Sequence, residues 1–131
     1  MGYSINHLSG EPVLIATFTE PFDAVSDGGA VAGSLINALN NRTETLYYIA
    51  DMSGLQISFS DLVSGLAAAF ATPGSPYTHP LIKIFTVATD ELIGLGAKAA
   101  AEQQQYGKAS VKFYPNVEEA LKEIHTMVAK G

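Results

Sequence analysis

Four short apolar segments, each followed by a segment with helical periodicity, constrain the fold of this chain more than any other feature. The apolar segments are rich in β-branched and aromatic residues and are bounded by polar or turn-forming residues, which is typical of strands. Because strands and helices alternate from end to end, the sequence predicts an α/β protein with a mostly parallel β-sheet covered by about four helices. The predicted strands are PVLIATFTE (12–20), LYYIA (46–50), LIKIFTVAT (81–89) and SVKFYP (110–115), and YSINHL (3–8) is expected to pair with the first as an edge strand.

The segments between and after these strands repeat apolar residues every three to four positions, as one face of a helix does. Asp23 or Ser26 can cap the first helix, predicted over 24–41, and Asn116 can cap the last, with Glu119 three residues later as in a capping box. The third is expected to begin near Asp90. The predicted apolar stripes are Val31, Leu35 and Leu39 in the first helix, Leu62, Leu66 and Phe70 in the second, and Val117, Leu121, Ile124 and Val128 in the last.

The core is expected where central strands meet the inner stripe of a covering helix. The side chains predicted to be largely buried are Leu46, Ile49, Ile82, Ile84, Phe85, Val111, Phe113, Leu121 and Ile124.

Composition narrows the function classes. With 131 residues, of which 47% are hydrophobic, the chain is expected to form one domain, 1–131, with a sizeable core. Cysteine is absent, which excludes disulfides, thiolate metal sites and cysteine nucleophiles. The 13 acidic and 7 basic residues give a net charge of -6, so neither nucleic acid nor an anionic membrane surface is an expected partner. No apolar run approaches the length of a membrane-spanning helix, and a cytoplasmic location is predicted.

The order of elements resembles the STAS (SpoIIAA-like) domains of anti-sigma-factor antagonists. Two places in the sequence carry the resemblance: the C-terminal half, IFTVATDELIGLGAKAAAEQQQYGKASVKFYPNVEEALKEI, and the turn Asp51, Met52, Ser53 after the second internal strand. The resemblance implies a non-enzymatic regulatory module that acts by contact with a protein partner. The implied contact surface is the helix beginning near Ser58 and the loop before it.

In these antagonists an Asp-Ser-Ser-Gly-Leu segment follows the turn, and its first Ser is the phosphoacceptor. Counting from Asp51 at the family's spacing places Ser60 there, with Phe59 instead of the preceding Asp and Leu62 instead of the Gly. Matching on Phe59 and Asp61 places Leu62 at the phosphoacceptor, and matching on Ser64, Gly65 and Leu66 places Val63 there. No register keeps all five residues, so the sequence predicts a module without an efficient phosphoserine switch.

Local helix chemistry offers another interpretation of the same residues. Ser58 and Asp61 have the spacing of a helix cap and its supporting acid, and this interpretation is preferred over phosphorylation of Ser60. Asp51 is expected to form an Asx-turn with Ser53, although the end of a parallel strand is also where functional groups gather. His7, His79 and His125 lie in separate segments, so no metal site is predicted, and no cofactor or catalytic constellation is indicated.

Two further predictions concern ligands and assembly. An interior rich in small residues makes a carrier of a small apolar ligand the alternative function. The small residues of the helix over 62–71 favour a homodimer, since they permit close approach of another element.

Overall fold

The computed structural model describes residues 2–21, 23, 26–40, 42–55, 76, 79–87 and 111–130, and only the backbone of 111–113 and 130. Within these residues the chain forms five strands and two helices. The strands are β1 (Tyr3–His7), β2 (Val13–Thr19), β3 (Leu46–Gly54), β4 (Ile82–Val87) and β5 (Val111–Tyr114), and the helices are α1 (Ser26–Leu39) and α2 (Val117–Lys130).

The strands form one five-stranded sheet in the order β1-β2-β3-β4-β5. β1 pairs with β2 in antiparallel orientation, and the other three pairings are parallel. The α/β class and the mostly parallel sheet are therefore confirmed for the described residues. The two helices predicted over 62–71 and from Asp90 onward lie outside them.

Helix α1 covers one face of the sheet. Asp23 caps it: its Oδ1 accepts a hydrogen bond from the backbone N of Ser26 at 3.0 Å, and its carbonyl accepts one from the N of Asp27 at 2.9 Å. The predicted stripe is confirmed, since its three residues are buried. This first core cluster consists of Leu14, Ala16, Phe18, Val31, Leu35, Leu39, Leu46, Tyr48, Ala50, Leu55 and Ile84, with Tyr3 and Ile5 packed against it.

Helix α2 covers the opposite face. Asn116 caps it as predicted, because its Oδ1 accepts a hydrogen bond from the N of Glu119 at 2.8 Å. Val128 is 44% exposed, so its predicted place in the apolar stripe is wrong. Met127, three residues after Ile124, packs against the core instead, which leaves Val128 to the side. The second core cluster consists of Val13, Ile15, Tyr47, Ile49, Phe85, Val87, Ala120 and Ile124.

The core prediction holds for most of the positions that can be checked. The buried members of the predicted set are Leu46, Ile49, Ile84, Phe85 and Ile124. Ile82 and Leu121 are only partly buried, because each lies at the border of a cluster and packs against it from one side. The side chains of Val111 and Phe113 lie outside the described residues. Among the described residues no helix is long and apolar enough to cross a membrane.

Candidate functional site

The candidate site is the turn at the carboxyl end of β3. Oδ1 of Asp51 accepts two hydrogen bonds from Ser53, one from the backbone N at 3.1 Å and one from the hydroxyl at 2.6 Å. The predicted Asx-turn is therefore present. Asp51 is half-buried and Ser53 is exposed, so the turn presents a neutral hydroxyl and a negative carboxylate together at the surface.

The sheet register places this turn among the ends of the parallel strands. Asp51 is opposite Thr17 of β2 and Val87 of β4, and Val87 is in turn opposite Tyr114 of β5. Residues in register across a sheet point to the same face, so all four face the side covered by α2. The carboxylate of Asp51 thus lies at the rim of the second core cluster, between a hydroxyl-bearing and an aliphatic neighbour.

Two contacts anchor the segment that follows Asp51. Leu55 is buried in the first core cluster, and its N donates to the carbonyl of Met52 at 3.1 Å. Gly54 pairs with Thr19, and a Cβ built on Gly54 would come within 3.0 Å of the carbonyl oxygen of Phe18. Only a residue without a side chain fits that approach easily. The turn is therefore exposed at its tip and fixed at its base.

A second polar cluster lies at the amino end of α1, and sequence reasoning missed it. Oδ2 of Asp27 accepts hydrogen bonds from the backbone N of Gly2 at 3.2 Å and of Asp23 at 2.9 Å, and Asp27 is only 8% exposed. The sequence does indicate that Asp27 is buried, because Asp27 precedes Val31 by four residues and so continues the apolar stripe of α1. A charged residue on the buried stripe needs internal partners, and these two amides supply them.

Tyr114 is a titratable group whose surroundings shift its pKa. Burial raises the pKa of the Tyr114 phenol above its ordinary value, and the negative charge of Glu123 raises this pKa further. The Tyr114 ring packs on Phe85 with 5.7 Å between ring centroids. The phenol is therefore held in its neutral form as part of the packing between β5 and α2.

His79 and His125 contact different partners in different parts of the fold. Nδ1 of His79 accepts a hydrogen bond from the N of Leu81 at 3.1 Å, and Nε2 of His125 lies 2.6 Å from Oε1 of Glu11. In the part of the chain that the structure describes, no three His, Asp or Glu side chains are grouped so that they could hold a metal ion.

Of the five predicted site residues, the structure brings two together. Asp51 and Ser53 form the turn described above, whereas Ser58, Ser60 and Asp61 lie outside the described residues. The choice between helix capping by Ser58 and phosphorylation of Ser60 stays a prediction.

No protein-family model, curated protein or solved structure matches this chain.

Proposed function

We propose that the chain is a non-enzymatic regulatory module of the STAS type, which binds a protein partner through the loop that begins at Asp51. The order of elements supports this proposal, since an antiparallel leading strand followed by parallel strands in sequential order fits the resemblance. The partner surface would include the Asp51 to Gly54 segment and the helix predicted to begin near Ser58.

The observation that carries the proposal is the exposed and anchored turn itself. Its carboxylate and hydroxyl bond to each other, and its base is fixed by buried Leu55 and by the close approach of Gly54 to β2. A surface whose polar groups are already ordered loses little conformational entropy when a partner binds. The turn is thus suited to binding a protein partner, and its side chains can form hydrogen bonds with polar groups of that partner.

The same geometry supports the absence of an efficient phosphoserine switch at Ser53. The Ser53 hydroxyl lies 2.6 Å from the Asp51 carboxylate. A phosphate at that hydroxyl would bring nearly two negative charges beside an existing one, and repulsion would break the turn. For Ser60, the replacement of the family's Asp by Phe59 is the supporting argument.

A matched pair of arginine substitutions tests the proposed surface. Ser53→Arg places a bulky cation at the turn, and Thr43→Arg makes the equivalent change at an exposed hydroxyl residue before the opposite end of β3. Each variant is used to capture partners from native extract, with quantitative mass spectrometry and with circular dichroism as a check of folding. We expect Ser53→Arg to lose a partner that wild type and Thr43→Arg both retain.

Two results would contradict the proposal. One is equal partner recovery by both folded variants, which would place the contact elsewhere. The other is stoichiometric phosphate on Ser53 or Ser60 in the native protein, which would restore the phosphoserine switch.

A further inference from the structure

Among the described residues, no strand pairs with the outer edge of β1, which presents a row of backbone N–H and C=O groups. Leu8 donates to the carbonyl of Val13 at 3.1 Å, and Thr19 donates to the carbonyl of Gly2 at 2.9 Å. Hydrogen-bonded positions alternate along an antiparallel strand, so even-numbered residues of β1 turn their N–H and C=O groups toward β2. The N–H and C=O groups of Tyr3, Ile5 and His7 therefore point outward, away from the sheet.

We propose that β1 pairs with β1 of a second copy of this chain, in antiparallel orientation about a twofold axis at Ile5. The outward N–H and C=O groups belong to Tyr3, Ile5 and His7 and are arranged symmetrically about Ile5. A twofold rotation at Ile5 therefore places each outward donor of one copy opposite an outward acceptor of the other. Tyr3 of one copy then faces His7 of the other, and Ile5 faces Ile5, with each pair exchanging two hydrogen bonds. The two five-stranded sheets become one continuous sheet.

The charges and the residue types of β1 are both compatible with pairing to β1 of a second copy. β1 contains no Asp, Glu, Lys or Arg, so pairing places no like charges opposite each other although the chain carries a net charge of -6. β1 also lacks the Pro, Lys or bulge by which proteins blunt a free edge, since its register with β2 runs without interruption from Tyr3 to His7. The opposite edge, β5, is shorter and carries Lys112, with Pro115 directly after it.

Helix α1 extends the proposed interface beyond the strands. Asp27 of α1 bonds to Gly2, so this helix side lies toward β1. Ala30 and Ser34 follow at the spacing of the same side and are partly exposed. Because α1 contacts β1, joining the two sheets at this edge brings the two copies of α1 toward each other on the same face of the continuous sheet. Small side chains at Ala30 and Ser34 permit that approach.

The test uses two exposed positions that face each other across the axis. Ser4 of one copy is opposite Asn6 of the other, in a pair whose side chains lie close together. The Ser4→Asp, Asn6→Asp double variant places carboxylates opposite carboxylates, whereas the Ser4→Lys, Asn6→Asp double variant places an ammonium opposite a carboxylate. Neither change touches a buried side chain. Circular dichroism checks that each variant folds.

Light scattering across micromolar concentrations gives the outcome. We expect the wild type to approach twice 13.8 kDa, the double-aspartate variant to move toward 13.8 kDa with dimerisation weakened about tenfold, and the lysine–aspartate variant to recover the dimer. Hydrogen exchange should show the amides of Tyr3, Ile5 and His7 protected in the dimer and unprotected in the double-aspartate variant.

Three results would overturn the proposal. A wild type at 13.8 kDa throughout would exclude the dimer. A double-aspartate variant that stays dimeric would place the contact on another surface, such as the predicted helix over 62–71. A folded lysine–aspartate variant that stays monomeric would refute the Ser4–Asn6 register.

Discussion

Helix α1 contains glycines whose replacement should stabilise the protein. Among the described residues, a Cβ built on Gly29 or Gly33 meets nothing within 4 Å, so alanine at either position clashes with none of them. Glycine in a helix interior is less favourable than alanine by about 0.5–1 kcal/mol, mainly because the unfolded chain loses more freedom on folding. We therefore expect Gly29→Ala with Gly33→Ala to raise the free energy of unfolding by about 1–2 kcal/mol.

The size of the thermal effect follows from chain length. At about 2.1 cal/mol/K of unfolding entropy per residue, a chain of 131 residues gains about 4 °C in Tm for each kcal/mol. Urea denaturation measures the free energy, and calorimetry measures the Tm. The double variant should unfold about 4–7 °C above the wild type.

Two other glycines provide controls with the opposite expected sign. Gly54→Ala would bring its Cβ within 3.0 Å of the carbonyl oxygen of Phe18, and Gly10 has a φ of 75°, which strains any residue with a side chain. Each should lower the free energy of unfolding by about 1 kcal/mol. A loss of stability in Gly29→Ala or Gly33→Ala would refute the reasoning, because it would mean that these positions contact something in the folded protein.

Three further perturbations test individual contacts. Asp27→Ala should lower the free energy of unfolding by about 2–3 kcal/mol in urea denaturation, because two backbone amides lose their acceptor. Asp27→Asn should lower it less, since one acceptor oxygen remains. Equal losses in the two variants would show that the carboxylate charge matters and not its acceptor atoms. Glu11 and His125 are exposed by 38% and 55%, so a double-mutant cycle should give a coupling below about 1 kcal/mol, and a larger value would mean that the pair holds the β1–β2 turn to α2. The pKa of Tyr114 is raised by burial and then by Glu123, so the folded state favours the neutral phenol. The contribution of this phenol to stability is therefore complete below pH 10.0 and is lost as pH rises through the folded-state pKa. Tyr114→Phe should therefore weaken the alkaline loss of stability in pH-dependent denaturation, and an unchanged alkaline profile would contradict this.

Local chemistry made much of the fold predictable. The caps at Asp23 and Asn116 depend on one side chain and an amide three residues later, so short sequence windows contain the whole interaction. Strand runs such as LYYIA are recognisable by composition for the same reason. The Asx-turn between Asp51 and Ser53 is equally local, and it was predicted correctly.

Features that depend on distant contacts were not predictable in this way. β3 continues beyond the predicted LYYIA to Gly54, because Gly54 pairs with Thr19 of a strand far earlier in the chain. The stripe of α1 marks Asp27 as a buried position, but its hydrogen bond from Gly2 joins residues 25 positions apart, which no local pattern connects. Val128 has the spacing of the apolar stripe but is exposed, since the choice between Val128 and Met127 is made by the position of the sheet.

The proposed dimer axis and the proposed partner surface are geometrically independent. The axis lies at the outer edge of β1, whereas Asp51 and Ser53 lie at the carboxyl end of β3, two strands away. A twofold axis through an antiparallel β1 pair reverses the direction of every strand, so the two carboxyl ends of β3 would lie at opposite borders of the continuous sheet. Two partners could then bind one dimer without contact between them. Because of this separation, Ser4→Asp with Asn6→Asp should weaken the dimer while retaining the partner, and Ser53→Arg should lose the partner while retaining the dimer.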